Sequence, residues 1–138
     1  MTIEEKIAAM LLKAQAAKEN AYAPYSKFKV GACINTIKDE FFAGCNVENA
    51  AYPLTQCAEA GAIGNMIAMN GANQITEVVI ISSGDKPCVP CGACRQRIRE
   101  FAQENTQVHM FSNDANTKIT MTLSELLPES FGPEFLHD

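Results

Sequence analysis

The stretch KPCVPCGACRQR, residues 86–97, places cysteines at 88, 91 and 94 in two overlapping C-x-x-C pairs. A further cysteine, Cys57, lies upstream in QCAEAGAI, with Glu59 two residues on. If Cys91 stands near a helix start, Cys94 lies one turn on. Residues i and i+3 share a helix face, so the two sulfurs can converge on one ion. Cys88 is upstream, with Pro90 between it and that helix. Zinc takes thiolates readily. With Cys57, Cys91 and Cys94 as ligands its fourth position can hold water, the arrangement of a catalytic site, whereas a fourth thiolate from Cys88 would close the site into a structural one. A carboxylate at Glu59 beside such a water can take and return protons. Its plainer reading is a first-turn glutamate that complements the helix dipole. Cys33 and Cys45 fall on strand-like segments and read as small buried apolar residues.

The elements that must position these residues follow from the pattern. Thr2 and Glu5 form a capping box, and Ile3, Ile7, Met10, Leu11, Ala14 and Ala17 make one apolar stripe, which predicts an amphipathic helix over 3–20. Phe28, Val30, Ala32 and Ile34 alternate, and FFAGC follows a polar turn, so 28–36 and 40–45 read as a β-hairpin. A helix is expected from about Thr55 to Asn70, stopped by Gly71. EVVIIS, at 77–82, has the two-sided apolar character of a buried central strand. CRQRIREFAQEN then reads as a helix. Strands at 107–112 and 118–122 are joined by a link too short for a crossover and should be antiparallel. Thr122 and Glu125 cap a last short helix ending at Pro128. The order α, β, β, α, β, α, β, β, α implies an α/β fold, a three-layer α-β-α sandwich around a mixed five-stranded sheet.

With 138 residues, 47 % of them hydrophobic and 20 % charged, the chain is expected to form one domain over 1–138 with its own core. Two glutamates precede any long apolar run, so the first residues read neither as a signal peptide nor as a membrane span. A cytoplasmic setting is expected, where thiols stay reduced and six cysteines favour metal binding, catalysis or burial over disulfides. The formal net charge of −5 and the absence of a basic stripe exclude nucleic acid as the expected partner, and no membrane is expected either.

C-A-E followed by P-C-x-x-C, each opening a helix in an α/β order, is the pattern of zinc nucleobase deaminases, with Cys57 in place of the His of H-x-E. From APYSKFKVGA through GCNVENAAYPLTQCAEA and PCGACRQ to ELLPESFGPEFL, the chain resembles the small, homotetrameric cytidine deaminases. The resemblance implies one Zn²⁺ per chain on Cys57, Cys91 and Cys94, with Glu59 as the proton shuttle in hydrolytic deamination of cytidine and deoxycytidine. It further implies that Asn46 and Glu48 bind the sugar, that the Ala58 backbone amide contacts the base carbonyl, and that Phe28 packs against the pyrimidine. Read without the family, Phe28 is strand core and Asn46 a turn former. Tyr25, Tyr52 and Phe131 match aromatics that complete the pocket at subunit boundaries, so a homotetramer with shared active sites is expected.

Many relatives carry Arg directly after the glutamate, where this chain has Ala60. Zinc with three thiolates has a charge of −1, a hydroxide adds another, and two helix N-termini return about half a charge each. Arg95, four residues after Cys91, or hydrogen bonds to the thiolate ligands are the expected source of part of the compensation, unless Arg95 serves packing or an interface. Three other readings compete: a deaminase of another cytosine-like nucleoside such as blasticidin S, a nucleic-acid editing deaminase, and a non-catalytic zinc-binding module closed by Cys88. The intact CNVEN favours plain nucleosides over the first, and the acidic charge disfavours the second.

Overall fold

Thr2 and Glu5 form the capping box their spacing predicts. The Thr2 hydroxyl accepts from the Glu5 N–H, and the Glu5 carboxylate accepts from the Thr2 N–H, both at 3.1 Å. They open α1 (Ile3–Glu19) in a computed structural model that describes residues 1–136. There follow β1 (Val30–Thr36), β2 (Phe41–Cys45), α2 (Ala58–Asn70), β3 (Ile75–Ser82), α3 (Gly92–Arg99), β4 (Ala102–Phe111), β5 (Lys118–Thr122) and α4 (Leu123–Leu126). Short 3-10 helices form at Tyr52–Leu54 and Pro133–Leu136.

The strands make one sheet in the order β2-β1-β3-β4-β5. β1 is antiparallel to both β2 and β3, β3 and β4 are parallel, and β4 and β5 are antiparallel. The parallel pair is the one that needs a crossover, and α3 supplies it. Alternation sorts the side chains into two layers of core. Ala32, Ile34, Val78, Ile80, Val108 and Met110 face α2, α3 and α4, where Ala62, Met66, Ile98 and Leu126 meet them. Cys33, Val79, Ile81 and Phe111 face Ile7, Met10 and Ala14 of α1 on the other side. β3 is therefore apolar on both faces, as a central strand between two helical layers must be.

Two glycines set the spacing between layers. A Cβ on Gly31 would stand 2.0 Å from the Ala14 carbonyl oxygen, so the α1 backbone lies directly on β1 there. A Cβ on Gly44 would stand 2.3 Å from the Ala62 nitrogen and 2.6 Å from the Ala58 oxygen, which brings α2 directly onto β2. That second approach fixes the helix whose first turn carries Cys57 and Glu59.

The chain departs from its local pattern after α3. The sequence predicts a helix running on to about residue 105 and a strand starting at 107, yet α3 ends at Arg99 and β4 begins at Ala102. Pairing with β3 overrides helix propensity. The Ile75 N–H donates to the Phe101 carbonyl at 2.8 Å, and Ala102 pairs with Ile75. The buried Thr106 hydroxyl donates to the Ile75 carbonyl at 2.8 Å and accepts from the Gln103 N–H at 3.0 Å across the register shift between Ile75 and Glu77. The second helix begins at Ala58, three residues later than Thr55, because the Pro53 segment turns as 3-10 helix and Cys57 is the N-cap.

Candidate active site

Two helix N-termini converge on one spot. Cys57 is the N-cap of α2 and Cys91 the N-cap of α3, with Cys94 one turn further on. Their Sγ atoms lie within 4.8 Å of one another, a group placed to hold a metal ion, and Cys88 lies outside that group. The unpaired N–H groups and partial positive charge at each helix start favour anionic sulfur there.

Without a cation such a cluster is crowded. Burial, opposed by contact with Cys94 and reinforced by Cys91 and Glu59, pushes the Cys57 thiol above its ordinary value. Cys94 is pushed up as well, by burial first and then by the charges of Glu59 and Cys57. Cys91 goes the other way. Burial raises it, but the backbone N–H groups of Cys94 and Ala93 and the neighbouring thiols together bring it below its ordinary value. Three mutually close sulfurs of this kind form a soft donor set with tetrahedral capacity for one more ligand, and they fit zinc.

A cavity of about 210 Å³ opens over the cluster. Its lining includes the three cysteines, Ala58, Glu59, Asn46 and Cys88, with Val30, Ile80 and Val89 as apolar wall. Glu59 is 4 % exposed, and burial pushes its carboxyl up, opposed by Cys94 and by the charge of Arg97. The Ala58 N–H, at the first helical position of α2, has no intrahelical acceptor available and belongs to a residue lining the cavity. A larger groove of about 770 Å³ lies between the start of β4 and the C-terminal segment, but no Cys or His lines it. Open volume alone does not mark the chemistry.

The remaining expected site residues are distributed as follows. Asn46 is buried, its side-chain oxygen accepting from the Val30 N–H at 2.9 Å and its amide donating to the Phe28 carbonyl at 2.9 Å, so it ties the loop to the start of β1. The Glu48 carboxylate accepts from the Tyr25 and Ser26 N–H groups at 3.0 and 3.1 Å and from the Ser26 hydroxyl. Phe28 packs its ring edge near Gly84 and does not line the cavity. Tyr25 and Tyr52 meet edge to face, with centroids 6.0 Å apart, and both are exposed. Phe131 is 55 % exposed and stacks on Phe135 at 5.6 Å.

Arg95 requires a correction. Its Nε donates to the Pro90 carbonyl at 2.8 Å and its Nη1 to the Leu126 carbonyl at 2.6 Å, so it braces the loop before α3 against the end of α4 instead of facing the sulfurs. The cation that reaches a sulfur is Arg97, whose Nη1 stands 3.7 Å from Cys94 Sγ. The i+3 spacing from Cys94 was the signal for it. Two further residues of α3 hold the C-terminal segment: Gln96 donates to the Phe131 carbonyl at 2.9 Å, and Arg99 donates to the Ser130 hydroxyl at 3.0 Å and pairs with Glu134 at 2.8 Å.

Comparison with known proteins agrees with this geometry. The model of the cytidine and deoxycytidylate deaminase zinc-binding region matches residues 4–110. The chain is 36 % identical over 136 residues to the cytidine deaminase of Sporosarcina psychrophila, covering 99 % of this chain and 96 % of the relative. It is 42 % identical over 120 residues to that of Mycoplasma pneumoniae, covering 86 % and 89 %. The crystal structure of cytidine deaminase from Burkholderia pseudomallei superposes with a TM-score of 0.84 at 37 % identity, covering 90 % of this chain and 98 % of that one. With the cysteine group lying inside the matched region and the same fold in the solved relative, the chain belongs to the cytidine and deoxycytidylate deaminase zinc-binding family.

Proposed function

We propose that the chain acts as a single domain over 1–138 that hydrolytically deaminates cytidine and deoxycytidine to uridine and deoxyuridine with release of ammonia, a reaction of pyrimidine salvage. The observation that carries this reading is the juxtaposition of three sulfurs able to hold one ion with a buried carboxyl, Glu59, in the wall of one cavity. Cys57, Cys91 and Cys94 would hold the zinc, one per chain. When bound, zinc supplies the Lewis acidity that makes water a nucleophile at neutral pH. The carboxylate of Glu59 takes a proton from the water whose oxygen adds to C4 of the base, and delivers it to N3. It then passes the second proton to the departing amine, so the oxygen remains on C4 and ammonia leaves. Burial raises the Glu59 carboxyl, which suits a group that must both accept and return protons.

The Ala58 N–H is suited to the base carbonyl, and Asn46, which lines the cavity, and Glu48 to the sugar hydroxyls. Phe28 is assigned to packing against the pyrimidine. Tyr25, Tyr52 and Phe131 present aromatic surface to solvent in the isolated chain, which supports assembly into a homotetramer with shared sites. Sedimentation at four times the 15.0 kDa chain mass checks that assembly. No helix among the described residues is long and apolar enough to cross a membrane, and reduced thiols at the site fit work in the cytoplasm.

Glu59→Gln tests the proton role. It should retain zinc and nucleoside binding while kcat falls roughly 10²–10⁴-fold, the usual contribution of a positioned acid–base group. Parent-like turnover in a zinc-replete Glu59→Gln sample would remove Glu59 from the chemistry.

A further inference from the structure

α3 carries three arginines, and two of them are committed to holding structure together. Arg95 is spent on the Pro90 and Leu126 carbonyls, and Arg99 on Ser130 and Glu134. Arg97 differs. Among the described residues it has no carboxylate within ion-pair distance, and its one side-chain hydrogen bond is directed at Cys94 Sγ at 3.7 Å. Arg97 is itself exposed, and its guanidinium reaches back to a Cys94 that is fully buried.

The charge of the site gives that contact a purpose. A zinc ion with three thiolates is one unit negative, and the buried Glu59 carboxyl lines the same cavity. Two helix N-termini offset about one unit of charge between them. An arginine cannot lose its proton in this setting, so it offers a fixed positive charge and an N–H to sulfur together. Resting on the zinc reading above, we propose that Arg97 is a positioning residue that acts through Cys94, its guanidinium balancing thiolate charge and holding that ligand in the metal-bound arrangement. The negatively charged metal-bound cluster is stabilised by this cation, so Arg97 raises the affinity for zinc.

The test compares the parent with Arg97→Met and Arg97→Lys, using zinc affinity by competition with a chromophoric chelator at fixed pH and the sulfur-to-metal charge-transfer band after cobalt substitution. Arg97→Met should bind zinc roughly ten- to a hundredfold more weakly, the usual size of the effect when a hydrogen bond to a metal ligand is removed. Its cobalt band should move to longer wavelength, because the sulfur lone pairs lose the N–H that stabilises them. Arg97→Lys keeps the charge and should recover most of the affinity. Equal zinc affinity and an unchanged band in Arg97→Met would overturn the proposal, as would an Arg97→Lys protein as weak as Arg97→Met. Thermal unfolding of the metal-free forms separates a folding defect from a site effect, since a shift confined to that readout assigns Arg97 to packing and rejects its metal role. A parent that binds no zinc would reject the zinc reading itself, whereas a parent that binds zinc alongside an unaffected Arg97→Met rejects only the role of Arg97.

Discussion

Cys33 and Cys88 are both thiols outside the metal group, yet burial separates their chemistry. Cys33 lies on the α1 face of β1 with no exposure, and burial pushes its thiol up to about 12. Cys88 is exposed, and its thiol is raised by partial burial and then by the charges of Glu59 and Cys91. In zinc-loaded protein at about pH 8, iodoacetamide should therefore alkylate Cys88 and leave Cys33 untouched, as peptide mass spectrometry would show. Cys33 modified as fast as Cys88 would contradict the burial assigned to β1. Cys88→Ser should keep both zinc and turnover, because the three grouped sulfurs do not include it. At this scale the cysteine group was legible because zinc restricts the residue types and helix geometry restricts their spacing. The charge partner was not. Positions i+3 and i+4 both share a face on paper, and what drew Arg95 away was a pair of carbonyls, Pro90 and Leu126, that only the folded chain brings near.

The two capping boxes and the hairpin were legible because their signals are local. The Thr122–Glu125 capping box forms as its spacing predicts, with the Glu125 N–H donating to the Thr122 hydroxyl at 3.2 Å. The end of α3 was not legible, since residues 100–105 continue a helical pattern that loses only in competition with β3. The contact of β2 with α2 is the one that seats the helix carrying Glu59. Gly44→Ala should destabilise the fold by at least about 1–3 kcal/mol, the usual range for overpacking, because backbone atoms on both sides would have to move. Zinc retention should fall with it, and a parent-like melting temperature would show that α2 is not seated as described. The turn at Tyr25–Ser26 makes a pH-dependent prediction. The Ser26 hydroxyl and the Ser26 and Tyr25 N–H groups hold the Glu48 carboxyl below its ordinary 4.5. A carboxyl depressed on folding contributes stability that is full above the unfolded value and is lost as pH falls through the folded one. The melting-temperature gap between the parent and Glu48→Gln should therefore be widest near about pH 6 and shrink towards about pH 3, and a gap independent of pH would exclude the ionised carboxylate as its source.

For the whole molecule, the layer order followed from the succession of helices and strands, since a strand apolar on both faces demands a helical layer on each. The C-terminal segment was harder. Its Phe, Gly and Pro content gave no local reason for order, and what holds it is α3, through Gln96 and Arg99. Gly132 lies against the Arg99 guanidinium, and a Cβ there would stand 2.2 Å from its Nη1. The helix that supplies Cys94 thus also fixes where Phe131 sits, which links the metal site to the exposed Phe131 and Phe135 pair. The central claim concerns the zinc-loaded protein, and it is tested most directly by following the ultraviolet change as cytidine becomes uridine, with zinc measured on the same sample. Turnover should track zinc content up to one ion per chain, disappear when a chelator strips the metal and return when zinc is restored. A sample with a full complement of zinc that leaves cytidine unchanged would contradict it.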